Sequence, residues 1–407
     1  MHYDVCVLGL GYIGLPTALL LAESGLQVLG VDIDTQKLSA LRNQQIDSNE
    51  PQIEELLEST LISGAFNTAE TPHPASAFIV AVPTPLASEQ RADLSFVHSA
   101  INSIIPLLRG GDLLVIESTC PPGTTEFISR TIFDQRPDLE GELLLAYCPE
   151  RILPGKAIEE LQSNDRTIGG LTEESARRAS DLYANFCSGE LLMTDATTAE
   201  TVKLVENAYR DVNIAFANEL SLIADKIGVN PWEVISFANR HPRVNVLSPG
   251  PGVGGHCIAV DPWFLAEVAP AESTLIKTAR QVNSAKPDWV VQQIEKYIRK
   301  DDPSSVLLLG LAYKPDIDDL RESPSMDIAQ RLAAQNPTIE FVAVEPNLGA
   351  APPEFESDNL KWSPGLLPFE DFDIVAWLVD HSEFKGSNHQ EFAGYFLDFR
   401  GSETRGV

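Results

Sequence analysis

Apolar runs of strand length alternate along the chain with stretches in which apolar positions recur every three to four residues. YDVCVL (3–8), QVLGVDID (27–34), AFIVAV (77–82), DLLVIES (112–118) and LLLAYC (143–148) are near-continuous apolar runs, the pattern of strands buried on both faces of a parallel sheet. Between them, LPTALLLAESG (15–25) and DLSFVHSAINSIIPLL (93–108) read as helices. A helix near 172–187 and a short strand follow, so residues 1–195 are expected to form a doubly wound α/β domain. From Thr198 to Gly228 no proline or glycine intervenes until the end, and Val205, Tyr209, Val212, Phe216, Leu220 and Ile223 recur at helical spacing. About 30 residues at ~1.5 Å each predict a helix of roughly 45 Å, long enough to join two domains. Asn230-Pro231 is an N-cap followed by proline at the first helical position, and the helix it starts ends at ANRHPRVN (238–245). Further helical segments near 272–300 complete a central domain over 196–300. After the polar linker DDPSS, the runs VLLLGLAYK, EFVAVEP, DIVAWLVD and YFLDFRG predict a second alternating α/β unit over 301–407.

Composition changes this picture little but excludes several functions. At 407 residues the chain exceeds what one core fills, and 43% hydrophobic with 22% charged residues is ordinary for a soluble globular protein. No apolar run approaches the ~20 residues that span a bilayer, and Met1-His2-Tyr3-Asp4 runs into a strand without a secretory signal. Five cysteines without a C-x-x-C pair argue against a disulfide framework or zinc site, and point to a reducing cytoplasm. A net charge of -30 repels nucleic acid and anionic membrane, so an anionic ligand needs local arginines.

The candidate chemistry sits at the turns. GLGYIG, Gly9 to Gly14, lies between a strand and a helix. There Gly9 permits a tight turn, Gly11 a close pyrophosphate approach, and Gly14 close packing of the helix, with Tyr12 and Ile13 alongside. This context makes the first domain Rossmann-like. Asp32 ends the second strand, where a carboxylate binds ribose hydroxyls and repels a 2'-phosphate. NAD is therefore expected over NADP, the alternative being that Asp32 caps the helix beginning at Thr35. Strand ends supply Thr84 and Thr119 as cofactor contacts and Glu150 as a carboxylate; turn chemistry is the competing account. Lys203, Asn207 and Arg210 share one helix face, which is also what a solvated face looks like. PGPGVGGHCIAVDPW (249–263) places Cys257 in a glycine-rich loop, four residues before Asp261, as either a nucleophile or an inert buried thiol. KPDIDDLRESP (314–324) follows the first strand of the last unit, where a nucleotide site is expected and a solvated loop is the alternative.

Taken together, GLGYIGLP, VAVPTP, ESTCPPGTT, YCPERILPG, NDRTIGG, AETVKLVENAYRDVNIAFANEL, GVGGHCIAVDP and GLAYKPDIDDLRESP resemble the UDP-glucose/GDP-mannose dehydrogenase family over essentially the whole length. Within it, GGHCIAVDPWF with Val260 in place of a lysine is similar to the branch acting on UDP-N-acetylhexosamines. UDP-N-acetyl-D-mannosamine is the expected substrate. The resemblance implies two Rossmann-like domains joined by a long central helix, and oxidation of a sugar primary alcohol to a carboxylate with two NAD. The intermediate would be held on Cys257 as a thiohemiacetal and then a thioester. It implies that Lys203 and Asn207 stabilise the oxyanion and that Asp261 and Glu150 help activate water, with Thr119 beside them. Arg151, Ile152, Arg210, His241, Arg243, Gly254, Tyr313, Lys314 and Arg400 match positions around the UDP-sugar, and Arg321 one near the cofactor. A homodimer, or a larger homo-oligomer, is expected to form on the long helix. The rivals are a UDP-N-acetylglucosamine or UDP-glucose 6-dehydrogenase, a one-step β-hydroxyacid dehydrogenase that needs no thiol, and an inactive NAD-binding sensor.

Overall fold

The computed structural model describes residues 2–45, 51–152, 155–255, 257–298, 305–352, 355, 358–386 and 392–401. In chain order the first part comprises β1 (Tyr3–Leu8), α1 (Gly14–Glu23), β2 (Val28–Val31), α2 (Thr35–Arg42), α3 (Pro51–Ser63), β3 (Phe66–Ala69), β4 (Ala75–Val80) and α4 (Ser95–Ile104). It continues with β5 (Leu113–Ile116), α5 (Thr124–Gln135), β6 (Leu144–Tyr147), α6 (Ala157–Ser163), β7 (Arg166–Gly170), α7 (Glu173–Tyr183) and β8 (Leu191–Asp195). These strands form one sheet in the order β3-β2-β1-β4-β5-β6-β7-β8, parallel throughout except between β6 and β7. Along β1, Val5 and Val7 enter one hydrophobic cluster and Cys6 and Leu8 the other, one on each face of the sheet, which is why the run is apolar without alternation.

The helices α8 (Ala196–Ile227), α9 (Pro231–Ala238), α10 (Asp261–Val268) and α11 (Thr274–Glu295) follow. The last part contains β9 (Ser305–Leu309), α12 (Pro324–Gln335), β10 (Glu340–Val344), β11 (Leu360–Ser363), β12 (Ile374–Trp377) and β13 (Tyr395–Asp398). Its sheet runs β11-β10-β9-β12-β13, all parallel, again with a cluster on each face. The DDPSS linker lies outside the described residues apart from Ser305.

Each long apolar run predicts its strand, and the strands β3, β7 and β11 are additional. FNTA, RTIGG and LKWS are short and carry polar residues or paired glycines, so no apolar run marks them. In β7 the glycines are needed for packing: a Cβ on Gly169 would meet Ala199 Cβ at 2.7 Å. The chain forms two compact units, Met1–Glu206 with Trp263–Pro270, and Asn207–Pro262 with Ala271–Val407; the boundary falls within α8. Among the described residues no helix is long and apolar enough to cross a membrane.

Candidate active site

In the first unit, Gly9 has φ +91°, and a Cβ there would come within 2.5 Å of the Ala81 carbonyl oxygen. Gly11 faces open space, with nothing within 4 Å of where its Cβ would be. Gly9 and Gly14 leave no room for a Cβ in this turn, and the open side at Gly11 adjoins the start of α1. Tyr12 is exposed and Ile13 is the residue preceding α1. Asp32 Oδ2 accepts the Leu10 amide at 2.9 Å and the Lys37 ammonium at 3.1 Å, while Oδ1 accepts the Asp34 amide at 2.9 Å. Burial pushes its carboxyl up, but the donors from Asp34, Leu10 and Lys37 outweigh that and hold it below the ordinary range. The cap of α2 is Asp34, which accepts from Gln36 and Lys37, so Asp32 is left for the glycine turn. An ionised carboxylate beside an open glycine turn fits the adenosine end of a dinucleotide.

Thr84 and Thr119 are half-buried beyond β4 and β5, and the Ser118 hydroxyl ties these strand ends by bonding to the Val80 and Val82 carbonyls. Beyond β6, Arg166 reaches Glu117 at 3.6 Å and the Cys148 thiol at 3.8 Å, all buried, and so fixes the strand end leading into Pro149-Glu150. The Lys203 ammonium, 6% exposed, donates to the Glu150 carbonyl at 2.8 Å, and the Glu150 carboxylate accepts the Ile152 amide. Arg151 pairs with Glu206 at 2.8 Å and donates to the Asp165 carbonyl. Three residues before Lys203, buried Glu200 accepts Gly123 N–H, Thr125 N–H and the Thr125 hydroxyl, and so clamps the start of α5 beyond the Thr119 loop.

In the second unit, Asn207 donates from Nδ2 to Asp261 Oδ2 at 2.6 Å. Asp261 begins α10, and its amide is bonded to the Cys257 carbonyl at 2.9 Å, so acid and thiol are one turn apart. Cys257 is exposed, whereas Cys6, Cys120, Cys148 and Cys187 are buried. The loop bearing it is anchored at Gly250, whose amide donates to the fully buried Asn218, and the Arg400 guanidinium lies against the same glycine. Tyr313 packs on Gly254 and Gly255, with Lys314 half-buried beside it. Arg321 is held by both oxygens of Asp319 and lies within electrostatic reach of Cys257 and Tyr313. Arg210, His241 and Arg243 are exposed, the last two in a turn that Asn239 fixes through two bonds to Val246.

The first unit thus joins Lys203 to Glu150, and the second joins Asn207, Asp261 and Cys257; Arg151 is instead paired with Glu206. Sequence reading misses Lys37, Glu200 and the Glu117–Arg166 pair. Only Glu200 carries a signal, its position one turn before Lys203 on the same helix face.

Residues 3–187 match the sequence profile of the UDP-glucose/GDP-mannose dehydrogenase family NAD binding domain, 197–285 its central domain and 307–401 its UDP binding domain. The chain is 46% identical over 389 residues to an NDP-N-acetyl-D-galactosaminuronic acid dehydrogenase of Ralstonia nicotianae, covering 94% of this chain and 91% of that one. It is 44% identical over 424 residues to the UDP-N-acetyl-D-mannosamine dehydrogenase of Escherichia coli, covering 98% of each. A solved UDP-D-ManNAc dehydrogenase from Pyrococcus horikoshii superposes with a TM-score of 0.86 at 36% identity, over 99% of this chain and 96% of that one.

Proposed function

Because the chain belongs to the UDP-glucose/GDP-mannose dehydrogenase family, and is thus an NAD-dependent oxidoreductase, we propose that it oxidises UDP-N-acetyl-D-mannosamine to UDP-N-acetyl-D-mannosaminuronate for surface polysaccharide synthesis. The reading is carried by one observation: an exposed Cys257 one turn from Asp261, whose carboxylate is bonded to Asn207.

The Gly9–Gly14 turn and Asp32 hold NAD, with Thr84 and Thr119 as further contacts, and the family resemblance adds Arg321. When bound, it supplies the hydride acceptor for each oxidation. The Cys257 thiolate adds to the sugar aldehyde to form a thiohemiacetal, and oxidation of that adduct leaves a thioester. Water then adds to the thioester carbonyl, the C–S bond breaks, and a carboxylate and the thiolate are released. Lys203 and Asn207 donate to the oxyanion that forms at each addition. Asp261 and Glu150 take the protons of the attacking water. The sugar nucleotide lies on Tyr313, Lys314 and Arg400, and its pyrophosphate suits the planar donor fork of arginine.

The three-part division at 195/196 and 300/301 is supported by the three matched segments. A two-fold dimer on α8 is supported by the exposure of Val205, Tyr209, Phe216 and Ile223 along one helix. A cytoplasmic setting is supported by five cysteines, none of which forms a disulfide among the described residues.

The second reading is the N-acetylgalactosamine epimer, which the Ralstonia relative favours. Incubation with UDP-linked N-acetylmannosamine, N-acetylgalactosamine, N-acetylglucosamine and glucose, following NADH, tests both. The first is expected to turn over fastest and to yield two NADH per sugar acid without free aldehyde. One NADH per sugar sinks the thioester mechanism, faster glucose oxidation sinks the substrate assignment, and no turnover with any restores the inactive NAD-binding sensor.

A further inference from the structure

The second sheet repeats the opening of the first with one change. Both first strands end in a glycine with positive φ, Gly9 (+91°) and Gly310 (+90°), where a Cβ would strike the neighbouring strand end at Ala81 or Val379. In both, amides just beyond that glycine donate to an acid at the end of the adjacent strand. Leu10 donates to Asp32 at 2.9 Å, and Leu311 and Ala312 each donate to Glu345 at 2.8 Å. Asp32 retains some exposure, but Glu345 is fully buried.

His381 lies against Glu345, also fully buried, with Nε2 at 3.0 Å from Glu345 Oε2. Burial pushes the Glu345 carboxyl up, but bonds from His381, Leu311 and Ala312 outweigh it and hold the group below its ordinary range. An ionised carboxylate only accepts, so Nε2 carries the hydrogen toward Glu345, and the Asp316 N–H aimed at Nδ1 makes that nitrogen the acceptor. Nδ1 takes the Asp316 amide at 2.9 Å, with the Asn347 side-chain amide at 3.0 Å. Asp316 has φ +61°, a left-handed conformation that costs a residue bearing a Cβ, and its carboxylate accepts the Ser382 amide and hydroxyl, each at 2.7 Å. The ends of β9, β10 and β12 therefore meet at one imidazole.

The loop held in this way carries Tyr313 and Lys314. A Cβ on Gly255 would meet the Tyr313 ring at 2.8 Å, and one on Gly254 would meet Tyr313 Cβ at 2.8 Å. The same loop therefore bears on the backbone two residues before Cys257.

We propose that His381 is a positioning residue for sugar-nucleotide binding: by accepting the Asp316 amide on Nδ1 while donating to Glu345 from Nε2, it holds the loop that presents Tyr313 and Lys314. This rests on the site reading proposed above. It also withdraws Glu345 from any ribose, so NAD binding is independent of His381.

Two substitutions separate the two ring nitrogens. In His381→Asn the amide oxygen stands where Nδ1 was and keeps the Asp316 bond, whereas in His381→Gln the carboxamide reaches Glu345 and the Asp316 bond is lost. Titration calorimetry of the full chain with UDP is expected to show Kd raised about tenfold in His381→Gln and within about threefold of wild type in His381→Asn. The KM for the sugar nucleotide should follow, with the Kd for NAD unchanged in both. If His381 only neutralises Glu345 and fills space, His381→Asn is the weaker binder, because it leaves that carboxylate unpaired. That order, or equal affinities in the two variants, overturns the assignment. Failure of UDP to bind the wild-type chain overturns the functional reading itself, whereas UDP bound alike by wild type and His381→Gln overturns only the role of His381.

Discussion

Asp32 owes its charge to three donors, the Leu10 and Asp34 amides and the Lys37 ammonium, which fix an anion at the end of β2. A 2'-phosphate placed there meets that anion, so kcat/KM for NAD is expected to exceed that for NADP by about a hundredfold. Asp32→Ala narrows the gap, mainly by weakening NAD; equal kcat/KM in the wild type contradicts the role. Cys257 is the other residue to which a chemical role is proposed. A serine hydroxyl is far less ionised than a thiol at neutral pH, so Cys257→Ser is expected to lose about a thousandfold in turnover. NADH assays that retain wild-type turnover in this variant exclude the covalent route. Both residues were legible in the sequence because glycine-rich turns mark them. Lys37 was not, since nothing in TQKLSALR distinguishes a lysine that touches Asp32 from one in solvent.

The long helix α8 shows the limit of periodicity. Its stripe of Val205, Tyr209, Phe216 and Ile223 is exposed, while the side turned to its own chain carries Leu204, Ala208, Asp211, Ala215, Asn218 and Ala224. That side holds a polar network joining α8 to α11. Arg280 meets Asp211 at 2.5 Å, and Asn283 donates to Asp211 and accepts from Asn218. Apolar spacing identifies a face that seeks cover but not which body covers it, and a buried polar face reads in sequence as a solvated one. Removing one partner of the buried pair strands the other, so Arg280→Ala is expected to cost about 3–5 kcal/mol, read from urea unfolding. A cost below about 1 kcal/mol, as at an exposed pair, contradicts that.

On the same helix pair, Lys286 is 2% exposed, with Nζ on the Ser221 hydroxyl and 3.7 Å from the Trp289 ring centroid. Burial, against the opposing pull of Asp225, brings its pKa down to about 7. Below about 7 the lysine is protonated whether the chain is folded or not, and burial carries its full cost. Between about 7 and 10.5 the unfolded chain holds a proton that the folded one lacks, so stability rises with pH. Lys286→Met is therefore expected to stabilise by about 3 kcal/mol at pH 6, the gain fading as pH rises from about 7 and gone above pH ~10.5, as read from unfolding midpoints across pH. A gain independent of pH rules out the titration.

For the whole molecule, the exposed stripe on α8 and the exposed Arg243 turn beyond α9 bear on assembly. Sedimentation is expected to give a dimer that Phe216→Asp dissociates. Arg243 is expected to complete the site of the partner subunit, so mixing inactive Arg243→Ala and Cys257→Ser chains restores activity in mixed dimers, where one site has both residues. A wild type that sediments as an active monomer, or a mixture still inactive after proven subunit exchange, excludes the shared site.

The sequence by itself determined the two α/β units, the long helix between them, the glycine turn and the cysteine loop. Each depends on local rules: apolar runs buried on both faces, helical periodicity, and backbone angles open only to glycine. Tertiary structure alone decided which polar residues become partners. Glu200 with the start of α5, Arg280 with Asp211, and His381 with Glu345 are joined across 75, 69 and 36 residues of chain. Spacing encodes no such distance. These pairs exist because burial leaves a charged or polar group no water, and so only the neighbour that folding brings to it.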